Sequence, residues 1–358
     1  MATCTLTRYL LDAEEGHTGP PYTHLVNAIA VCVRLLASDV SRGPLVLDSS
    51  QAGDPAELRR ELYRRTTETV LDQVSNLPQV AAVALADEAG GSEIHVISED
   101  PQAPYLLCFE VHLGSSKLVE NQPVGLTFTV RRRAEPGYTN GSVEDFLNPN
   151  NERVCAGMGL LGPSTVLIVT TGQGVDGFTL DRRIGSFVLT HPHMRLPESS
   201  DVLAVNLSNG PKWPPAITRY VDERIAEADS EGRGLEIRWN NSALIGTYRI
   251  LLNGGLFMMP ELQGQPGTLG APDTPGLRLL HAADALATII EQAGGGVSSG
   301  SASLSELVPD SLDYRTSIIL GARYDVSLIE RYAVEEEEGY VGLANSPLFH
   351  NRSLYFLH

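Results

Sequence analysis

Phe109-Glu110-Val111-His112-Leu113-Gly114-Ser115-Ser116 is the stretch on which the reading of this chain turns. It continues the apolar run Tyr105-Leu106-Leu107-Cys108-Phe109, which reads as a strand buried on both faces. Side chains two apart on a strand point the same way, so Glu110 and His112 share one face at the strand's end. A carboxylate beside an imidazole raises its basicity and fixes its orientation, a pairing suited to general acid–base work. If the loop runs into a helix N-terminus, the backbone N–H groups of Gly114, Ser115 and Ser116 form a cradle for an anion.

Outward from this stretch the apolar period alternates between helix and strand. Tyr22 to Ala37 and Glu57 to Val74 carry apolar residues at helical spacing. Val80–Leu85, Val124–Val130 and Val166–Val169 read as strands, and Gly177–Leu180 with Ser186–Leu189 as a hairpin around Asp181-Arg182-Arg183. Beyond a polar, Pro-containing stretch near Pro192–Asp201, helices are expected at Pro215–Ala228, Ala243–Leu252 and Ala282–Ala293. The last is closed by Gly294-Gly295-Gly296. Leu277–Leu280 and Ser317–Gly321 read as strands. Sheets flanked by helices in both halves imply a layered α/β or α+β architecture, divided as residues 1–195, 196–334 and an acidic run with a tail at 335–358.

The 358 residues carry 26 basic and 44 acidic side chains, a net charge of −18. That balance argues against nucleic acid as a partner. Arg131-Arg132-Arg133, the longest basic run, reads as a solvated strand end. The expected span of ~18 apolar residues for a membrane crossing is not met, and the N-terminus lacks the pattern of a secretory signal. Cys4, Cys32, Cys108 and Cys155 are scattered without C-x-x-C spacing, which fits reduced thiols in a cytoplasmic protein. His191-Pro192-His193 reads as an exposed turn and Glu335–Glu338 as a solvated helix end. The apolar tail beyond Gly339 is expected to pack on its own or a neighbouring subunit.

The loop at Phe109–Ser116 resembles the F-D-P-L-D-G-S-S metal-and-phosphate loop of class 1 fructose-1,6-bisphosphatases. Other segments resemble that family in order. Leu6-Thr7-Arg8-Tyr9 with Thr18-Gly19 is similar to its opening helix and nucleotide-responsive turn. Leu180–Phe187 is similar to L-D-P-x-I-G-E-F, and Asn253–Pro260 to Y-G-G-I-F-x-Y-P. Leu277–Leu280, Glu291–Gly295 and Ile318–Gly321 complete the set. The resemblance implies a five-layer α-β-α-β-α fold with the active site between the halves, a homodimer or homotetramer, and Mg²⁺-dependent phosphate-ester hydrolysis.

It also implies a role for each matched position. The loop's first aspartate is Glu110 here; its second, a metal bridge, is Leu113, and the leucine between them is His112. The glutamate after R-L-L-Y falls at Ala282, following Arg278 and His281. An acidic pair ahead of the loop corresponds to Asp87 and Glu88, and a water-activating aspartate falls near Thr67-Glu68. On the sugar side, Asn206, Arg238, Ser242 and Arg278 are kept. Trp239, Met259, His281 and Gly276 stand in place of polar or basic groups, and Pro104-Tyr105 replaces Lys-Tyr at the nucleotide turn.

Two metal carboxylates thus give way to aliphatic side chains. The expectation drawn is a repurposed, metal-independent acid–base enzyme of isomerase, lyase or cyclase type, acting on a small organic molecule. It would use Glu110, His112, Asp87 and Glu88 for catalysis. Gly114–Ser116, Asn206, Arg238, Trp239, Ser242, Met259, Arg278 and His281 would bind the substrate, with no metal cofactor. This reading argues against phosphatase activity. Two alternatives stay open: a Mg²⁺-dependent sugar-phosphate phosphatase with weakened metal affinity using Asp87, Glu88 and Glu110, and a catalytically silent binding homologue.

Overall fold

A computed structural model describes residues 4–15, 19–47, 54–86, 91–113, 118, 120–134, 141–198, 200–230, 234–238, 242–263 and 276–337. Asp87, Glu88, Gly114, Ser115, Ser116, Trp239 and the tail beyond Glu337 lie outside the described residues.

The chain begins with α1 (Leu6–Glu14), α2 (Thr23–Arg42) and α3 (Pro55–Val74). Local chemistry sets their starts. Thr5 Oγ1 accepts from Arg8 N, and Asp54 accepts from Ala56 N with Pro55 at the first helical position. Glu14 Oε1 accepts from the backbone N–H groups of Tyr22 and Thr23, both at 2.6 Å, satisfying donors at the head of α2. Extended by a 3-10 turn to Val46, α2 is long and apolar enough to cross a membrane, but Leu25, Val26, Ile29, Val33 and Leu36 are buried in the protein core.

Next come β1 (Val80–Ala86), β2 (Ser92–Val96), β3 (Tyr105–His112), β4 (Val124–Arg132), the short α4 (Val143–Leu147), β5 (Glu152–Leu161), β6 (Thr165–Thr170), β7 (Val175–Asp181) and β8 (Ser186–Met194). These strands form one sheet in the order β2-β1-β3-β4-β5-β6-β7-β8, antiparallel apart from the β1–β3 pair. The expected hairpin is β7–β8, and β8 carries His191 and His193 as strand residues, not as a turn.

The second half contains β9 (Val202–Val205), α5 (Pro215–Ser230), β10 (Glu236–Arg238), α6 (Ala243–Asn253), β11 (Leu256–Met259), β12 (Leu277–Arg278), a π-helical turn at Leu279–Ala283, α7 (Asp284–Gln292), β13 (Gly296–Ser298), β14 (Arg315–Thr316), β15 (Ile318–Gly321) and α8 (Arg323–Glu337). Its sheet runs β10-β9-β11-β15-β13, while β12 and β14 pair apart from it.

Three apolar clusters define five layers. Side chains of α1, α2 and α3 pack with Leu107, Phe109, Leu126 and Phe128 on one face of the large sheet. Met158, Ile168 and Val175 on its other face meet α6 and α7, which also touch Phe257, Ile318 and Leu320 of the second sheet. The far face of that sheet, with Leu203, Met258 and Ile319, is covered by Ile217 and Tyr220 of α5 and Val326 and Ile329 of α8. The order is α-β-α-β-α, the layering that the resemblance implies.

Two bland readings of the charge runs are corrected. Arg131 and Arg133 are buried and paired, Arg131 with Asp284 at 2.6 Å and Arg133 with Asp145 at 3.1 Å. At the end of α8, Glu335 pairs with Arg219 at 2.6 Å and Glu336 accepts from Ala216 N at the head of α5. A run of charge on one element met its counter-charges on elements far away in sequence.

Candidate active site

Phe109 and Val111 face the helical layer, where Tyr63 of α3 donates to the Val111 carbonyl at 2.7 Å. The alternate residues Glu110 and His112 therefore face the middle layer, toward β12 and the π-helical turn. The backbone of His112 lies opposite Gly125 on β4. A side chain at Gly125 would meet the Gly159 carbonyl oxygen at 2.0 Å and the Leu244 side chain at 2.7 Å, so glycine lets α6 close over this end of the sheet.

Glu110 is buried, and its Oε1 accepts from Arg278 Nη1 at 2.8 Å. Arg278 also donates through Nε to Asp313 at 3.2 Å and through Nη2 to the Gly91 carbonyl at 3.3 Å. Asp313 accepts in addition from Ser92 Oγ at 2.7 Å. The cross-strand partner of Arg278 is Arg315, whose Nη1 donates to the Gly276 carbonyl at 3.0 Å and whose Nε is buried without a partner. Burial, then the neighbouring Arg278, lowers the pKa of Arg315. Two guanidiniums set side by side make this face attractive to an anion. Glu110 Oε2 is buried and has no hydrogen-bond partner, leaving one carboxylate oxygen open.

Thr127, opposite Glu110 on β4, joins the remaining members. Its hydroxyl donates to the His281 carbonyl at 2.8 Å and lies 2.8 Å from His112 Nε2. A hydroxyl has one proton, so His112 must carry its proton on Nε2 and donate it to Thr127. His112 Nδ1 is 3.9 Å from Glu110 Oε1, beyond hydrogen-bond distance. The His281 ring is completely buried with neither nitrogen hydrogen-bonded, and burial pushes its pKa down to about 4. Leu113, on the helical side of the sheet, and Ala282 are fully buried, and neither side chain carries a metal-binding atom.

The structure thus gathers Glu110, His112, Arg278 and His281 from the sequence reading, and adds Thr127, Asp313 and Arg315, which it missed. No motif marked these three; only the β12–β14 pairing and the β4 register bring them in. Arg238 sits on the edge strand β10, paired with Glu236. Asn206 caps a 3-10 turn by accepting from Ser208 N at 3.1 Å, Ser242 is buried at the N-cap of α6, and Met259 is half-buried at the end of β11. Glu68 is exposed on α3 and paired with Arg64. No group of three or more His, Cys, Asp or Glu side chains able to hold a metal occurs among the described residues; Asp87 and Glu88 lie outside that set.

Residues 4–192 match the Fructose-1-6-bisphosphatase N-terminal domain, and residues 196–334 its C-terminal domain. A fructose-1,6-bisphosphatase class 1 from Methylacidiphilum infernorum (isolate V4) is 35% identical over 364 aligned residues, 98% of each chain. The holo form of Leishmania major fructose-1,6-bisphosphatase superposes with a TM-score of 0.78 at 28% identity, and its apo form with 0.76 at 29%. Each comparison covers 92% of this chain and 99% of the other.

These matches overturn the expectation of a repurposed, metal-independent isomerase, lyase or cyclase. With it fall the argument against phosphatase activity and the expectation of no metal cofactor. Glu110 Oε1 accepts from Arg278, His112 Nε2 lies against Thr127, and His112 Nδ1 stands 3.9 Å from Glu110 Oε1, within ion-pair reach but beyond a hydrogen bond. With both halves matched in order and a near-full-length relative above 30% identity, the chain belongs to the class 1 fructose-1,6-bisphosphatase family.

Proposed function

We propose that this protein is a divalent-cation-dependent sugar-phosphate phosphatase, hydrolysing a phosphate ester of a fructose-1,6-bisphosphate-like substrate. One observation carries the proposal. At the sheet end where β3 leaves the core, the open Glu110 Oε2 lies in the same cluster as the paired guanidiniums of Arg278 and Arg315. A carboxylate oxygen suits a hard cation, and adjacent guanidiniums suit a phosphoryl group. The near-full-length relative named a fructose-1,6-bisphosphatase supports the same substrate class.

Glu110, with Asp87 and Glu88, would hold Mg²⁺, which when bound polarises the phosphoryl group and lowers the pKa of water. Leu113 and Ala282 give no oxygen to it, so the reading expects a requirement for Mg²⁺ in excess. Arg278 holds Glu110 in place through Nη1 and is itself fixed by Asp313, so the carboxylate is oriented before any ligand arrives. Thr127 holds the His112 ring in place by accepting from its Nε2. Gly114, Ser115 and Ser116 would supply backbone N–H groups to the phosphoryl oxygens. His281 and Ala282, both fully buried, keep water out on the middle-layer side. A cytoplasmic setting suits the four unpaired cysteines.

The test is release of inorganic phosphate from fructose 1,6-bisphosphate by the full chain, with Mg²⁺ and with chelator. Turnover should require Mg²⁺ and fall at least 100-fold in Glu110→Gln. Chelator-insensitive turnover, or none at any Mg²⁺ concentration, would defeat the proposal.

A further inference from the structure

At the opposite end of β4 lies a second cluster that the phosphatase reading does not use. Arg131 and Arg153 are direct cross-strand partners on β4 and β5, and both turn to one carboxylate, Asp284 at the head of α7. Arg131 Nη2 reaches Asp284 Oδ2 at 2.6 Å; Arg153 Nη1 reaches Oδ1 at 2.9 Å and Thr288 Oγ1 at 2.6 Å. Both carboxylate oxygens are thereby taken, and the half-buried Glu291 adds a second negative charge on the side of Arg153. Arg131 is 9% exposed, and its Nε is sealed with no acceptor.

These three side chains line a cavity of about 160 Å³. Asn148 and Ser305 add polar groups to its wall, and Leu304 and Leu307 an apolar side. A buried guanidinium N–H without an acceptor is costly, and a ligand oxygen reaching it would recover that cost. Arg131 is four residues along β4 from Thr127, about 13 Å at strand spacing, so the cavity is separate from the Glu110 cluster.

We propose that this cavity is a binding site for a small organic anion. Its carboxylate or phosphate group would be gripped by Arg131 and Arg153, and its carbon skeleton laid against Leu304 and Leu307. Asp284 holds the two guanidiniums in register and competes with the ligand for them.

Calorimetric titration of the full chain with malonate, sulfate and inorganic phosphate, at low ionic strength with chelator present, tests this. Malonate should bind saturably. Arg153→Gln, a substitution at a half-exposed position, should weaken it at least tenfold, with circular dichroism confirming the fold. Asp284→Asn should tighten it several-fold by removing the competing charge. Arg278→Met should leave malonate binding unchanged, because that residue belongs to the phosphatase cluster, whatever its effect on phosphate release. No saturable binding of any of the three anions overturns the proposal, as does malonate binding that survives Arg153→Gln but is lost in Arg278→Met. Preference for phosphate over malonate identifies a phosphorylated ligand; the reverse identifies a carboxylate.

Discussion

His281 offers the sharpest physical test of the structure. Its imidazole is fully buried, neither nitrogen is hydrogen-bonded, and its pKa is pushed from 6.5 down to about 4, chiefly by burial. The folded chain therefore holds fewer protons here than the unfolded chain between about pH 4 and 6.5. The resulting stability is present above pH 6.5 and is lost as the pH falls toward 4. A shift of about 2.5 units corresponds to about 3 kcal/mol at 1.36 kcal/mol per unit. His281→Leu, of similar volume, removes the titrating group and two orphaned polar atoms. At pH 7 the variant should be at least as stable as the parent, since an unsatisfied buried polar group costs roughly 1–3 kcal/mol. Between pH 7 and 4 the parent should lose about 3 kcal/mol more than the variant. The assay is urea unfolding at stepped pH with chelator present; taking the difference between the two proteins cancels the other acid-sensitive groups. Parallel stability curves over that range would refute the burial argument.

Asp325 gives the opposite pH sign. It is 1% exposed, and burial, opposed in part by the Tyr220 hydroxyl and Arg224, raises its pKa above the usual carboxylate value. Its contribution is full below the unfolded pKa of about 4 and lost as the pH rises through the folded value. Asp325→Asn should stabilise the chain by about 1–2 kcal/mol at pH 8 and not at pH 3, read by thermal melts at both. Gly246→Ala should destabilise despite alanine's better helix propensity, by about 1–3 kcal/mol, because its Cβ would fall 2.5 Å from the Phe257 ring; urea midpoints measure the loss. Of the four thiols only half-buried Cys4 should react rapidly with an aromatic disulfide reagent. Burial pushes Cys32 up to about 12, Cys108 up to about 11, and Cys155 upward as well. Two or more fast equivalents would contradict the packing.

Periodicity made α2, α3, β1, β3 and β4 legible because each has a long, one-signal pattern: a buried stripe or a run buried on both faces. It failed where the backbone is decided by distant neighbours. Leu277–Leu280 reads as one strand, yet only Leu277 and Arg278 pair with β14 before the chain coils into the π-helical turn. A stretch of four residues, three of them leucine, carries no period that separates the two states. β5 was missed because Gly157 and Gly159 dilute its strand signal. Gly157 is there for the Phe128 ring, which would lie 2.4 Å from any Cβ at that position. Arg131 reads as solvated from its neighbours in sequence because its carboxylate partner is 153 residues downstream. In the active cluster, Glu110, His112 and Arg278 stood inside readable motifs, whereas Thr127, Asp313 and Arg315 enter only through sheet register.

The error about phosphate chemistry has the same root. Counting Leu113 and Ala282 as lost ligands treats a site as a list, but the energetic question is what the remaining charges need. Arg315 is half-buried with its Nε sealed and unmatched, and it stands directly across from Arg278, whose single charge is shared between Glu110 and Asp313. Arg278 and Arg315 repel each other across the strand pair, a cost that apolar side chains of similar volume would not carry. The guanidiniums are nevertheless kept side by side, with Glu110 Oε2 open in the same cluster. That arrangement is costly when empty and favourable when an anion and a cation arrive together, which is the electrostatic demand of a metal-bound phosphate ester.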